Sequence, residues 1–181
     1  RQMCIRDSIT STLAVLPIDP EEGTIGPVRD LVTLTGKIGP HRVEQPFAKP
    51  HQVEFDCQGR FIIVPDKGLD RVFTFRLDAD AGKLVASEQG SVPARETSGP
   101  RHVVLHPRAG FAYVVNELDS TVTAYHYDSE SGALDPVQVV SSLPDTFTGN
   151  SRAAEIAISA NGHFVYASNR GCLLYTSPSP R

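Results

Sequence analysis

The chain repeats one pattern of strands and turns at an interval of about 50 residues. Within residues 100–134, three runs of alternating apolar residues are separated by two short polar segments that favour turns. The runs span residues 103–105, 111–115 and 121–127. Because a period of two is typical of half-buried strands, this unit is predicted to be a three-stranded antiparallel meander.

The same landmarks recur on both sides of this unit. A shift of 50 residues toward the N terminus brings Val53 onto Val103, and a shift of 53 residues toward the C terminus brings Ile156 onto it. A repeat of this length, built only of strands, is typical of a β-propeller blade. We therefore predict an all-β fold, a β-propeller fragment of about three blades made of four-stranded antiparallel meanders, with helices essentially absent.

The predicted strands follow the repeat in chain order. Those of the first meander lie at residues 52–55, 61–64, 71–77 and within 83–92, and those of the second at 102–105, 111–115, 121–127 and 137–141. Residues 10–15 and 28–34 are predicted to be the last two strands of an earlier blade. Residues 36–50, rich in glycine and proline, are predicted to form a long loop that carries function.

The two ends of the chain do not follow the repeat. Residues 1–8 and 172–181 resemble peptides translated from sequencing-adapter DNA, so we predict non-native tails there and a single domain over residues 9–171. Two of the three cysteines lie in these tails, which leaves Cys57 without a disulfide or metal-ligand pattern. A net charge of −4 argues against non-specific nucleic-acid binding, and no apolar run approaches the ~20 residues of a membrane span.

Meander geometry predicts where polar side chains converge. Residues just before the first strand of each blade and just after its second strand meet on one face, at the mouth of the central channel where propellers bind ligands. The candidates on this face are His51, Asp66, Lys67, Arg101, His102, Asn116, Glu117, Glu155, Asn169 and Arg170.

Three segments carry a resemblance to a known family. They read PHQVEFDCQGRFIIVPDKGLDRVFTFRLD, GPRHVVLHPRAGFAYVVNELDSTVTAYHYD and AAEIAISANGHFVYASNRG, and they resemble the lactonase family of seven-bladed propellers. That family includes bacterial 6-phosphogluconolactonases and fungal carboxy-cis,cis-muconate cyclases. Seven blades need roughly 350 residues, so the resemblance implies about half a propeller, inactive by itself and prone to association through its open strand edges.

The resemblance also implies a catalytic set. It places His51, Arg101, Glu117 and Arg170 in the catalytic cleft, although Lys49 stands where the family often has a further histidine. Opening a lactone needs a base for the attacking water and cationic donors for the carbonyl oxygen. We assign Glu117 or His51 as the base, and Arg101 with Arg170 as oxyanion or substrate-phosphate ligands.

Four of the other candidates on this face are predicted to bind substrate: His102, Glu155, Lys67 and Asn116. The expected activity is hydrolysis of a sugar lactone such as 6-phosphogluconolactone in the cytoplasm, with no metal or cofactor, no nucleic-acid or membrane partner, and an unspecified oligomeric state. Two alternatives stay open, a muconate-lactone cyclase or isomerase and a non-enzymatic binding propeller with YVTN-like repeats. The simpler interpretation of Glu117 and its arginines is a structural ion pair.

Overall fold

The computed structural model describes residues 2–7 and 11–171. Its regular structure consists of strands, with no helix among these residues. The strands are β1 (Gln2–Asp7), β2 (Thr12–Pro17), β3 (Asp30–Thr33), β4 (Glu54–Phe55), β5 (Phe61–Asp66), β6 (Arg71–Asp78), β7 (Lys83–Pro93), β8 (Pro100–Leu105), β9 (Phe111–Asn116), β10 (Thr121–Tyr127), β11 (Leu134–Ser141), β12 (Arg152–Ile158) and β13 (Val165–Arg170). The prediction of an all-β fold is confirmed.

The strands form four antiparallel sheets in chain order. Two are complete four-stranded meanders, β4-β5-β6-β7 and β8-β9-β10-β11. A three-stranded sheet, β1-β2-β3, precedes them, and a two-stranded sheet, β12-β13, follows. Each pair of consecutive strands is antiparallel, so both predicted meanders are confirmed.

The hydrophobic core lies between the sheets rather than at one centre. Strand β5 is buried along its whole length because its two faces pack on different neighbours. Ile62 and Val64 contribute to the cluster shared with β2, which includes Leu13, while Ile63 contributes to the cluster shared with β9 and β10. This alternation gives face-to-face packing of successive sheets, as in adjacent propeller blades.

Side-chain hydrogen bonds also join neighbouring sheets. Gln89 of β7 donates from Nε2 to the carbonyl of Leu134 on β11 and accepts from its amide, each at 2.9 Å. Asp30 of β3 accepts from the amide of Leu84 on β7 at 2.9 Å. Such bonds satisfy backbone groups at the outer rims and fix the relative position of the sheets.

The inner strands are less regular than the repeat predicts. The first meander was predicted to begin at residue 52, whereas β4 spans only Glu54–Phe55, with an isolated bridge between Pro50 and Asp66. Strand β8 also loses register, between Pro100 and His102, and β12 between Ala153 and Ile156. A proline cannot donate to the ladder, and a β-bulge leaves a residue unpaired, so hydrophobic alternation alone does not reveal these breaks.

The N-terminal segment differs from its prediction in one respect. Residues 1–8 were left outside the fold, yet Gln2–Asp7 forms strand β1 and pairs with β2. Backbone pairing does not test whether this segment is native, so the predicted tail at residues 1–8 stays a prediction. The other predicted tail, residues 172–181, lies outside the described residues.

The last sheet has an exposed outer strand. In β13 the side chains alternate between half-buried and exposed, with Tyr166 59% exposed, and Phe164 just before the strand is 62% exposed. The opposite face of β13 packs through Val165 and Ala167 on the cluster around Val115. Within residues 2–7 and 11–171 no helix is long and apolar enough to cross a bilayer.

Candidate active site

A buried carboxylate, Glu117, lies at the centre of the predicted cluster. It follows β9 directly, and its side chain is only 6% exposed. Its Oε2 accepts a hydrogen bond from Arg101 Nε at 3.0 Å, and its Oε1 accepts from Lys67 Nζ at 3.2 Å. Arg170 Nη2 lies 3.1 Å from the same Oε1. The second, third and fourth sheets thus each contribute a cation to one carboxylate.

A second carboxylate extends the cluster from the long loop before β4. Glu44 Oε2 lies 3.1 Å from Lys67 Nζ, and Glu44 Oε1 lies 2.8 Å from Arg152 Nη1. Burial raises the pKa of Glu44, but the hydrogen bond from Lys67 and the charges of Lys67 and Arg152 outweigh it, so that the pKa lies below its ordinary value. Arg152 Nη1 also lies 3.7 Å from Glu117 Oε1.

The loop that supplies Glu44 is fixed from within by its neighbour Gln45. The Gln45 side chain is fully buried, donates to the carbonyl of Lys67 at 2.9 Å and accepts from the amide of His41 at 3.1 Å. Gly39 packs so close to it that a Cβ there would lie 2.3 Å from the Gln45 amide. These contacts fix the conformation of the loop at residues 36–50 against the β5–β6 turn.

The irregular inner strands decide which side chains reach the cluster. Arg101 lies between Pro100 and His102, at the point where β8 shifts register against β9. Ala154 and Glu155 occupy the corresponding shift in β12. Successive residues of a regular strand point to opposite faces, and a bulge changes that direction locally. As a result Arg101 and His102, although adjacent, lie side by side, with Arg101 Nη1 and His102 Nε2 3.4 Å apart.

The histidines form a second part of the site, next to Arg101. The rings of His51 and His102 lie 5.0 Å apart between centroids, at an interplanar angle of 59°. His102 Nδ1 lies 2.6 Å from Glu155 Oε1. Burial raises the pKa of Glu155, but its hydrogen bonds with His102 and the Ile156 amide and the charges of His102 and Arg101 lower it below its ordinary value. Arg101 also donates to the carbonyl of Ala154, which ties this part to β12.

The structure thus brings together seven of the eight predicted site residues, and it places Asn116 differently. The Asn116 side chain is buried and donates from Nδ2 to the hydroxyls of Thr121 and Thr123, at 2.9 Å each. Its side chain serves the turn between β9 and β10, and does not extend into the cluster. The equivalent residue of the preceding sheet, Asp66, is likewise buried and accepts from the Lys49 and Leu69 amides at 3.0 and 2.8 Å.

Burial without a counter-charge shifts the titration of Asp66. Its environment raises the pKa of the carboxyl to about 6, because desolvation outweighs the hydrogen bonds from backbone amides, and Asp70 adds repulsion. Asp70 in turn accepts from the amides of Thr97 and Gly99 at 2.8 Å each. Asp66 thus holds the turn that carries Lys67. Asp70 holds the segment before β8, where the carbonyl of Gly99 accepts from the Glu117 amide at 2.8 Å.

Sequence reasoning missed Glu44 and Arg152. Arg152 begins β12, and the residue after it, Ala153, pairs with Asn169 as Pro100 pairs with Asn116. The rule that residues just before an inner strand face the cluster could have found Arg152. Nothing in the repeat could have found Glu44, since residues 36–50 follow no periodic pattern.

Two further observations concern the described part of the chain. No group of three or more histidine, cysteine, aspartate or glutamate side chains has the arrangement of a metal site in that part. A cavity does occur at the opposite ends of the strands, lined by turn residues that include Cys57, His106 and Tyr127, and it contains none of the predicted site residues. The predicted site residues that form the cluster therefore lie on one face, away from this cavity.

Comparison with known proteins decides the family. The sequence profile described as lactonase, 7-bladed beta-propeller, matches residues 9–177, which is most of the chain. The chain belongs to this lactonase family. The 6-phosphogluconolactonase of Bacillus subtilis (strain 168) is 36% identical over 158 residues, which cover 87% of this chain and 43% of that protein. The resemblance inferred from the three repeated segments of the sequence is confirmed.

Solved structures show the same relationship. A crystal structure of a Lactobacillus plantarum protein matches with a TM-score of 0.85 and 31% identity, over 93% of this chain and 47% of that one. The periplasmic gluconolactonase of Pseudomonas aeruginosa matches with a TM-score of 0.80 and 30% identity, over 89% and 44%. This lactonase-family chain therefore spans less than half the length of the relatives it matches. The catalytic and substrate-binding roles of its site residues stay predictions.

Proposed function

We propose that the whole protein hydrolyses a sugar lactone that carries negative charge, with 6-phosphogluconolactone as the leading candidate. One observation carries this proposal, the excess of positive charge around Glu117. Four cationic side chains, Lys67, Arg101, Arg152 and Arg170, face only two carboxylates, Glu44 and Glu117. An excess of two positive charges in a partly buried cluster favours an anionic ligand.

The exposed members of the cluster supply the ligand contacts. The side chains of Arg152 and Arg170 are 42% and 53% exposed, whereas that of Arg101 is 15% exposed. A guanidinium presents a planar fork of N–H donors that matches phosphate and carboxylate oxygens. We assign Arg152 and Arg170 to the anionic group of the substrate, and Arg101 to the lactone carbonyl, where negative charge grows during attack. One such donor contributes about 3 kcal/mol to the transition state.

Glu117 holds these donors in place. With Arg101 on one oxygen, and Lys67 and Arg170 on the other, it fixes three cations from three sheets in one geometry. Donors that are already oriented need no reorganisation when the oxyanion forms. Relatives named 6-phosphogluconolactonase and gluconolactonase support a lactone substrate, and the charge excess favours the phosphorylated one.

The experiment compares two lactones on the whole protein, expressed from its complete reading frame. Hydrolysis of 6-phosphogluconolactone and of glucono-δ-lactone is followed by NMR, with the spontaneous rate subtracted. We expect Arg152→Ala to raise KM for the phosphorylated lactone about 10-fold, the lower end for a hydrogen bond to a charged group, and to leave the unphosphorylated one nearly unchanged. Arg108→Ala, an exposed arginine at the opposite strand ends, is the matched control.

The other outcomes separate the alternatives. Conversion of a muconate-type lactone without uptake of water would favour a cyclase or isomerase. No acceleration with any lactone, together with saturable binding of one, would favour a non-enzymatic propeller. The cytoplasmic location is part of this proposal, and because the Pseudomonas aeruginosa gluconolactonase is periplasmic, cell fractionation is the test.

A further inference from the structure

A histidine–carboxylate pair spans two sheets beside the cationic cluster. His102 lies on β8, and Glu155 lies on β12 in the next sheet, with Nδ1 and Oε1 2.6 Å apart. The same Oε1 accepts from the amide of Ile156 at 3.0 Å, which holds the carboxylate against its own strand. The amide of Glu155 donates to Ser168 Oγ at 3.0 Å, which fixes the backbone at the bulge. The orientation of the pair is thus built into both sheets.

The carboxylate determines which imidazole nitrogen can accept a proton. Because a carboxylate oxygen can only accept, the neutral His102 ring carries its hydrogen on Nδ1 and its lone pair on Nε2. Nε2 lies on the side of Arg101, whose Nη1 is 3.4 Å away. The charged and titratable groups that face the ring include Arg101 from its own strand, Glu155 from β12 and His51 from the segment before β4.

Glu117, one of the two bases suggested by the sequence, is already engaged on both oxygens. Its Oε2 accepts from Arg101, and its Oε1 accepts from Lys67 and lies 3.1 Å from Arg170. Taking a proton there would remove the negative charge that these cations surround. His102 Nε2 lies 3.4 Å from Nη1 of Arg101, the same guanidinium that we assign to the lactone carbonyl. A water that attacks that carbonyl therefore has to approach close to Nε2.

We propose that His102 is the general base of the hydrolysis and that Glu155 is the positioning residue that orients it. This inference rests on the proposed function. The water oxygen bonds to the lactone carbonyl carbon, its proton goes to His102 Nε2, and the carbonyl electron pair moves onto the oxygen that Arg101 stabilises. When the tetrahedral intermediate collapses, the bond from carbon to the ring oxygen breaks, and His102 returns the proton to that oxygen. The product is the open hydroxy acid.

The pH profile of the whole protein tests both roles. With 6-phosphogluconolactone at saturating and limiting concentrations, His102→Gln is expected to lower kcat by about 10²–10⁴-fold with little change in KM. Glu155→Gln is expected to lower kcat by about 10- to 100-fold. In enzymes whose orienting carboxylate is buried, the corresponding substitution lowers kcat by about 10⁴-fold. Glu155→Gln also removes a negative charge beside the ring, so the acid limb of kcat/KM moves about one unit to lower pH.

Conservative and distant variants complete the design. Glu155→Asp restores part of the rate and the position of the acid limb, which a merely structural role would not do. His163→Gln, in an exposed turn, leaves rate and profile unchanged. Folding of the Glu155→Gln variant is checked by circular dichroism. If the wild-type protein is active and this variant keeps both its rate and its acid limb, the inference is overturned and the proposed function stays intact. A wild-type protein that opens no lactone overturns both.

Discussion

Replacement of Glu117 by glutamine tests how strongly the cationic cluster depends on its central carboxylate. Glutamine keeps the shape of the side chain and removes its charge. Since both carboxylate oxygens face cationic donors, the new amide group must point its N–H₂ at Arg101 or at Lys67 and Arg170. One hydrogen bond therefore becomes a contact between two donors, and the positive charges lose their nearest counter-charge.

The size of the effect follows from burial. Lys67 and Arg101 have side chains only 12% and 15% exposed, so their pairs with Glu117 count as buried. Arg152 and Arg170 are more than a third exposed and contribute little. Removing one partner of a buried pair costs about 3–5 kcal/mol. Because Lys67 keeps Glu44 at 3.1 Å, we expect the lower end, about 3 kcal/mol of unfolding free energy.

Urea denaturation followed by circular dichroism measures this loss. With an m value of about 2 kcal/mol/M, the midpoint falls by about 1.5 M. The control is Glu130→Gln, which removes an ion pair with Arg60 at 2.8 Å whose glutamate side chain is 78% exposed, and no change in midpoint is expected. Equal midpoints for the two variants would refute the conclusion that the cluster is a coupled, buried network.

Two further predictions concern residues that support the site. Asp66 has a folded-state pKa of about 6, above its ordinary 3.8, so the folded state binds more protons than the unfolded state between these values. Wild-type stability relative to Asp66→Asn therefore falls by about 2 kcal/mol as pH rises from 4 to 7, and denaturation at several pH values that gave a constant difference would contradict this. Gly99 and Gly59 both have φ near +65°, but a Cβ at Gly99 would meet Leu118 Cγ at 2.6 Å, whereas Gly59 faces open space. Thermal melts should show Gly99→Ala clearly less stable than Gly59→Ala, since only the first adds a clash to the roughly 1 kcal/mol of backbone strain, and equal melting temperatures would argue against the packing.

Most of the fold could be predicted because it follows from local pattern. Alternation in residues 111–115 and 121–127 gives strands β9 and β10 within one residue of their observed bounds. The inner strand β4 is shorter than predicted, because proline at position 50 and the shift at the start of the strand interrupt the ladder without disturbing hydrophobic alternation. Strand β11 begins three residues earlier than predicted, at Leu134, whose side chain is buried.

The candidate site was only partly predictable, for a different reason. Positions fixed by the meander, such as Arg101 and Glu117, could be placed on one face from topology alone. The direction of a side chain could not, which is why Asn116 was assigned to the substrate although its amide bonds to two threonines. Nor does the sequence show that His102 contacts Glu155, since that contact depends on two register shifts in different sheets.

The register shifts at the starts of β8 and β12 have a consequence for how such a site can change. A residue excluded from the ladder contributes little to sheet pairing, so its identity can vary while the sheet around it stays intact. Successive copies can therefore carry His51, Arg101 or Ala154 at one equivalent position of a common scaffold. Exchanging side chains there offers a way to redesign ligand preference without redesigning the protein that holds them.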